Sequence, residues 1–88
     1  MENKIKQKLV NHLHRIKGQV EGLERMVEKE KYCPEIITQS LSIQESLKGF
    51  NATMLENHIR EHVGHQIQHG KMEKAVEELI RIYKLKSK

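Results

Sequence analysis

The sequence predicts an all-α protein with three helices per chain, on the strength of three observations. First, apolar residues from Leu9 onward fall at 9, 13, 16, 20, 23 and 27, alternating steps of four and three. That is the heptad pattern of a helix lying along another helix, so helix one is expected from about Ile5 to Lys29. Second, the turn KEKYCP precedes a further helical stripe at 36, 43, 47, 50 and 54, widened by Ile37, Leu41 and Leu55. Pro34 stands where the missing N–H costs nothing, in the first turn, and helix two is expected from about Pro34 to Val63. Third, Gly64 and Gly70 bracket a short histidine-rich connection, after which Met72, Val76, Leu79 and Tyr83 give helix three its buried face. No strand, linker, repeat or low-complexity segment interrupts this order.

At 88 residues the chain is read as one domain, 1–88, and a chain of that size buries only about 60 to 65% of its unfolded surface. Aromatic residues make up 3% and tryptophan is absent, so the usual large anchors of a core are missing. Oligomerisation is therefore expected to supply the remaining burial. The single cysteine, Cys33, excludes an internal disulfide. No segment has the apolar run of a signal peptide or a membrane span, so the expectation is a cytoplasmic protein with a reduced thiol and no membrane partner. The net charge of +4 is unevenly spread. Residues 1–20 set Lys4, Lys6, Lys8, Arg15 and Lys17 against Glu2 alone, and residues 81–88 carry Arg81, Lys84, Lys86 and Lys88 with no acid. Basic ends on an acidic body point to a polyanion, nucleic acid before membrane, although solvated helix ends give the same pattern.

Four of the six histidines lie in LENHIREHVGHQIQH, at 58, 62, 65 and 69. On one regular helix, spacings of four, three and four put all four on one stripe. Cys33 precedes His58 by 25 residues, about 37 Å along a continuous helix at about 1.5 Å per residue. One chain cannot close that gap through the helix. An antiparallel copy can, setting His58 and His62 of one protomer beside Cys33 of the other, twice per symmetric dimer. The result is one sulfur and two nitrogens across an interface, a donor set for a metal ion. Each residue also has an ordinary role open to it: cysteine as a small hydrophobe, and a histidine pair as a solvated helix surface.

The run HRIKGQVEGLERMVEKEKYC, followed after 24 residues by HIREH, resembles the CsoR/RcnR family of small ligand-responsive repressors over about Lys6 to Tyr83. The resemblance implies an antiparallel helical-bundle homodimer that doubles into a disc-shaped tetramer, binding operator double-stranded DNA without a helix-turn-helix. It implies metal ligands at Cys33, His58 and the variable third position, His62. It also implies supporting partners at Tyr32 and Glu78, as in the copper members. Copper sensors often carry a second cysteine where this chain has His62, whereas nickel and cobalt sensors add an N-terminal histidine that Met1-Glu2-Asn3 lacks. The expected inducer is therefore Cu(I), with Ni(II), Co(II) or Zn(II) as alternatives. Formaldehyde-sensing relatives need an N-terminal proline where Glu2 stands, and persulfide sensors need a cysteine in place of His58.

For the DNA surface the resemblance implies the basic face of helix one, with Arg15 and Lys17 in the matching motif and Lys8 and Lys48 in support. The expected function is a repressor that holds its operator when metal-free and releases it on Cu(I), turning on efflux genes. A nickel-, thiol- or aldehyde-responsive repressor, or a metal buffer without DNA affinity, is the alternative. Enzymatic use of Cys33 with His58 is not expected, because no Gly-rich loop or third orienting residue offers an oxyanion site.

Overall fold

The structure, a computed structural model, describes residues 1–86. Lys88, counted above in the C-terminal basic group, lies outside the described residues. Among the described residues the chain is helical apart from short turns: α1 spans Asn3–Glu28, α2 Cys33–His58, a π-helical segment Ile59–Val63, α3 Gly64–Gln68 and α4 Met72–Lys86. No described helix is long and apolar enough to cross a membrane. The chain divides into two compact units, residues 1–55 and 56–88.

The first unit is an antiparallel pair, α1 against the first part of α2. Leu9 and Ile16 on α1 and Ile43 on α2 are buried at its centre. Polar contacts fix the register: His12 Nε2 meets Ser46 Oγ at 3.2 Å, and Gln39 Nε2 donates to the carbonyl of Gln19 at 3.2 Å. A Cβ on Gly49 would stand 3.5 Å from the His12 ring, an ordinary van der Waals contact, so the imidazole lies against α2 at this point. Of the heptad stripe predicted on α1, Leu9 and Ile16 are buried and Leu23 is half-buried. Leu13, Val20 and Val27, spaced by seven, stay roughly half-exposed at 43, 48 and 56%. Ile37, Leu41 and Leu47 on α2 are likewise exposed, so one chain leaves much of its own apolar pattern uncovered.

The turn between α1 and α2 ends α1 in a Schellman arrangement. The Lys31 N–H donates to the Met26 carbonyl and the Glu30 N–H to the Val27 carbonyl, both at 3.0 Å. This puts Glu30 at φ +52°, the left-handed position that glycine normally takes. The Tyr32 carbonyl then accepts from the N–H groups of Glu35 and Ile36, opening α2. Pro34 falls in its first turn as expected.

In the second unit the expected break at Gly64 does not occur. The helix widens into the π segment and resumes its α form through Gln68, so 33–68 is one helical run. It stops at Gly70, where a second Schellman pair forms, Lys71 N–H to Gln66 carbonyl at 2.7 Å and Gly70 N–H to Ile67 carbonyl at 3.2 Å. Gly70 has φ +72°, and Gly64 lies within the helix, so only the glycine required to turn left-handed ends the run. On α4 the inward stripe is Ala75, which is buried, with Leu79 and Ile82 half-buried. The expected face of Met72, Val76, Leu79 and Tyr83 is corrected accordingly: Met72, Val76 and Tyr83 are exposed. Both stripes have helical spacing, and apolar character alone does not say which one the chain buries on itself.

Candidate metal centre

Cys33 is the first residue of α2 and its thiol is free and exposed. Tyr32, beside it, is exposed; it serves the helix through its backbone carbonyl. His58 is the last residue of α2 and is part-buried. Its Nε2 lies 3.2 Å from Oε2 of Glu78 on α4, an interaction about three-quarters shielded on both sides. With Nε2–H donating to that carboxylate, the lone pair of the neutral ring lies on Nδ1, which is the nitrogen left to take a ligand. Glu78 also receives two long contacts from Gln66 Nε2, at 3.4 and 3.5 Å. Gln66 was not singled out in the sequence, because the supposed break at Gly64 put it in a connection rather than on a helix facing α4.

His62 stands within the π segment, more exposed than His58, with Nε2 a loose 3.9 Å from Glu61 Oε2. The rings of His58 and His62 have centroids 5.3 Å apart and are tilted by 32°. Two imidazoles sharing one ion with metal–nitrogen distances near 2 Å put their centroids roughly 5 Å apart, so this pair is spaced for one ion. Cysteine thiolate and two imidazoles are also a donor set that soft and borderline ions accept. Among the described residues of one chain, no three histidine, cysteine, aspartate or glutamate side chains converge into a complete site.

The π segment alters the histidine stripe. A π turn inserts about one residue into the helical count and rotates everything after it by about 100°. His65 and His69 are therefore carried off the line of His58, while His62, inside the segment, turns with them; the ring contacts join the four histidines as two pairs, 58 with 62 and 65 with 69. The second pair, on and just beyond α3, is exposed, with centroids 4.1 Å apart.

The basic residues also divide by face. Lys8 and Arg15 are seven apart on α1 and share a side with Lys4, whereas Lys17 stands about 200° round the helix from Arg15. All of them are exposed. Lys48 is exposed on α2 and engages Glu45 at 3.2 Å, which offsets its charge locally.

A family model described as metal-sensitive transcriptional repressor matches residues 5–84. The copper-sensing transcriptional repressor CsoR of Bacillus subtilis is 37% identical over 82 residues, covering 93% of this chain and 81% of that protein. Among solved structures, the copper-sensing repressor CsoR with Cu(I) from Geobacillus thermodenitrificans superposes with a TM-score of 0.94 at 32% identity. That match covers 100% of this chain and 92% of the other. The nickel-responsive transcriptional regulator InrS matches with a TM-score of 0.74, also at 32% identity, over 85% of this chain and 84% of its own. From the heptad-marked α1 to the Cys33 and His58 ends of α2, the chain belongs to the metal-sensitive transcriptional repressor family.

Proposed function

We propose that this chain is a single-domain, copper-responsive repressor, 1–88, acting in the cytoplasm, that holds operator double-stranded DNA when metal-free and releases it on binding Cu(I). The observation that carries the reading is the His58 imidazole, part-buried, held through Nε2 by Glu78 and paired with His62 at a spacing one ion can bridge. A histidine on a solvated helix surface needs no such carboxylate; a ligand histidine commonly has one to fix its tautomer. The third donor is the exposed Cys33 thiolate of a second, antiparallel chain, which joins His58 and His62 of the first. One sulfur and two nitrogens suit Cu(I), and the two copper-sensing relatives favour it over the nickel of the third. Tyr32 flanks Cys33 in the same site.

The exposed apolar rows support a homodimer that pairs again into a tetramer. Leu13, Val20 and Val27 on α1, and Met72, Val76, Ile80 and Tyr83 on α4, are each one-sided stripes of the kind that helices bury against a neighbour. For DNA, Lys8 and Arg15, with Lys4, form the primary phosphate-binding row, and Lys17 and Lys48 contribute less. Contacts of this type set affinity rather than sequence reading and weaken steeply with salt.

The ion, when bound, supplies a cross-link between protomers. A ligand shifts an equilibrium only by its differential affinity for two states, so the cross-linked shape must be the one that fits DNA poorly. Linkage makes the effect mutual: DNA weakens Cu(I) binding by the same factor, with a typical coupling of about 1–3 kcal/mol.

The test is a mixed dimer. A Cys33→Ala chain paired with a His58→Ala chain has one site lacking both residues and one intact site. Each variant alone is expected to bind no Cu(I) tightly, and the mixture to recover one Cu(I) per heterodimer. A mixture as inert as its parents would refute the shared site.

A further inference from the structure

We infer that His65 and His69 form a second metal-binding site, separate from the pair at His58 and His62, for a borderline divalent ion of the zinc class. The two residues are four apart across the turn that closes α3. The His69 N–H donates to the His65 carbonyl at 3.1 Å, so the backbone between them is a true α turn. Their rings meet edge to face with centroids 4.1 Å apart, within about an ångström of the roughly 5 Å that two imidazoles on one ion require. Both side chains are exposed, so ring rotation opens the remaining distance at little cost.

The two pairs are told apart by their ring contacts, 58 with 62 and 65 with 69. The π segment rotates 65 and 69 by about 100° relative to 58, which breaks the single stripe and leaves two two-nitrogen pairs on adjacent turns. Chemistry separates their ligands. The first pair is completed by a thiolate in the proposed sensor; the second has imidazole nitrogens alone, with water filling the remaining positions. Nitrogen and oxygen donors suit Zn(II) and its divalent neighbours and disfavour Cu(I). Such an ion ties residue 65 to residue 69 and so clamps the last turn before Gly70, where the Schellman pair ends the helix.

The experiment uses the full chain carrying Cys33→Ala, His58→Ala and His62→Ala, which removes the first site and leaves the second pair. Zn(II) is titrated against a weak chromophoric chelator, and thermal unfolding is followed with and without Zn(II). Adding His65→Ala and His69→Ala is expected to weaken this Zn(II) uptake by at least about tenfold, since the second donor acts at high effective concentration. It is also expected to remove the Zn(II)-dependent rise in Tm. Because the substituted rings at 65 and 69 are exposed, metal-free unfolding serves as the control for folding. Uptake that survives loss of His65 and His69, or that is already absent once Cys33, His58 and His62 are replaced, would overturn the assignment.

Discussion

Removing the Glu78 carboxylate tests whether His58 is held as a ligand or merely rests against α4. In Glu78→Ala the His58 Nε2–H loses an acceptor at 3.2 Å, and both side chains are about a quarter exposed. A hydrogen bond to an ionised group contributes about 1.5–3 kcal/mol. The contact is longer than the roughly 2.7–2.9 Å of the strongest charge-assisted bonds and is not fully shielded, so the lower end applies. About 1.5 kcal/mol corresponds to roughly a tenfold loss of metal affinity, within the range of about 10- to 100-fold typical when a ligand's supporting partner is removed. Glu78→Gln keeps an acceptor oxygen without the charge. Neutral bonds are about half as strong, so about threefold is expected there. The assay is anaerobic competition for Cu(I) against a chromophoric chelator, with metal-free DNA binding measured in parallel. Affinities for Cu(I) within twofold of the parent in both variants would refute the role given to Glu78. So would an equal loss of metal-free DNA binding, since that would mark Glu78 as a folding residue.

Four other expectations follow from the same coordinates. Cys33→Ala should leave stability within about 0.5 kcal/mol, as for exposed positions generally, and abolish Cu(I)-driven release while metal-free DNA binding persists; chemical denaturation and anisotropy read the two. Arg15→Ala should lower DNA affinity and reduce the slope of log affinity against log salt by about one, whereas Lys17→Ala, on the opposite side of α1, should change the slope less. Glu30→Gly should stabilise the chain by up to about 1 kcal/mol in urea unfolding, because it relieves a left-handed non-glycine residue at the end of α1. Val20→Glu, in the exposed row of α1, should shift the oligomer towards smaller species in light scattering without unfolding the chain; an unchanged mass would remove that row from the interface.

The all-α architecture and the turn before Cys33 were legible because both rest on local rules: helical periodicity, and proline in a first turn. The choice of buried stripe was legible only in part. On α1, Leu9 and Ile16 face inward while Leu13, Val20 and Val27 of the same heptad row do not. A sequence records the apolar residues of every interface at once, including those that another chain must cover. The π segment was not legible at all. Gly64 reads as a helix end, yet glycine ends a helix only where a left-handed residue is needed, and that need falls at Gly70. Reading Gly64 as a break hid Gln66 from view, and missing the π turn put His65 and His69 on one line with His58. His58 and Glu78, by contrast, were paired by family resemblance twenty residues apart, and the structure brings their side chains to 3.2 Å. Composition and spacing alone gave no reason to join them, because a contact between helices depends on rotational phase as well as on sequence distance.

The most direct test of the central claim is an anaerobic titration of the operator-bound protein with Cu(I) and, separately, Ni(II), following DNA fluorescence anisotropy at fixed salt. The account predicts loss of the complex at one Cu(I) per protomer with Ni(II) without effect. Release by Ni(II) alone, or a complex that survives saturating Cu(I), would contradict it.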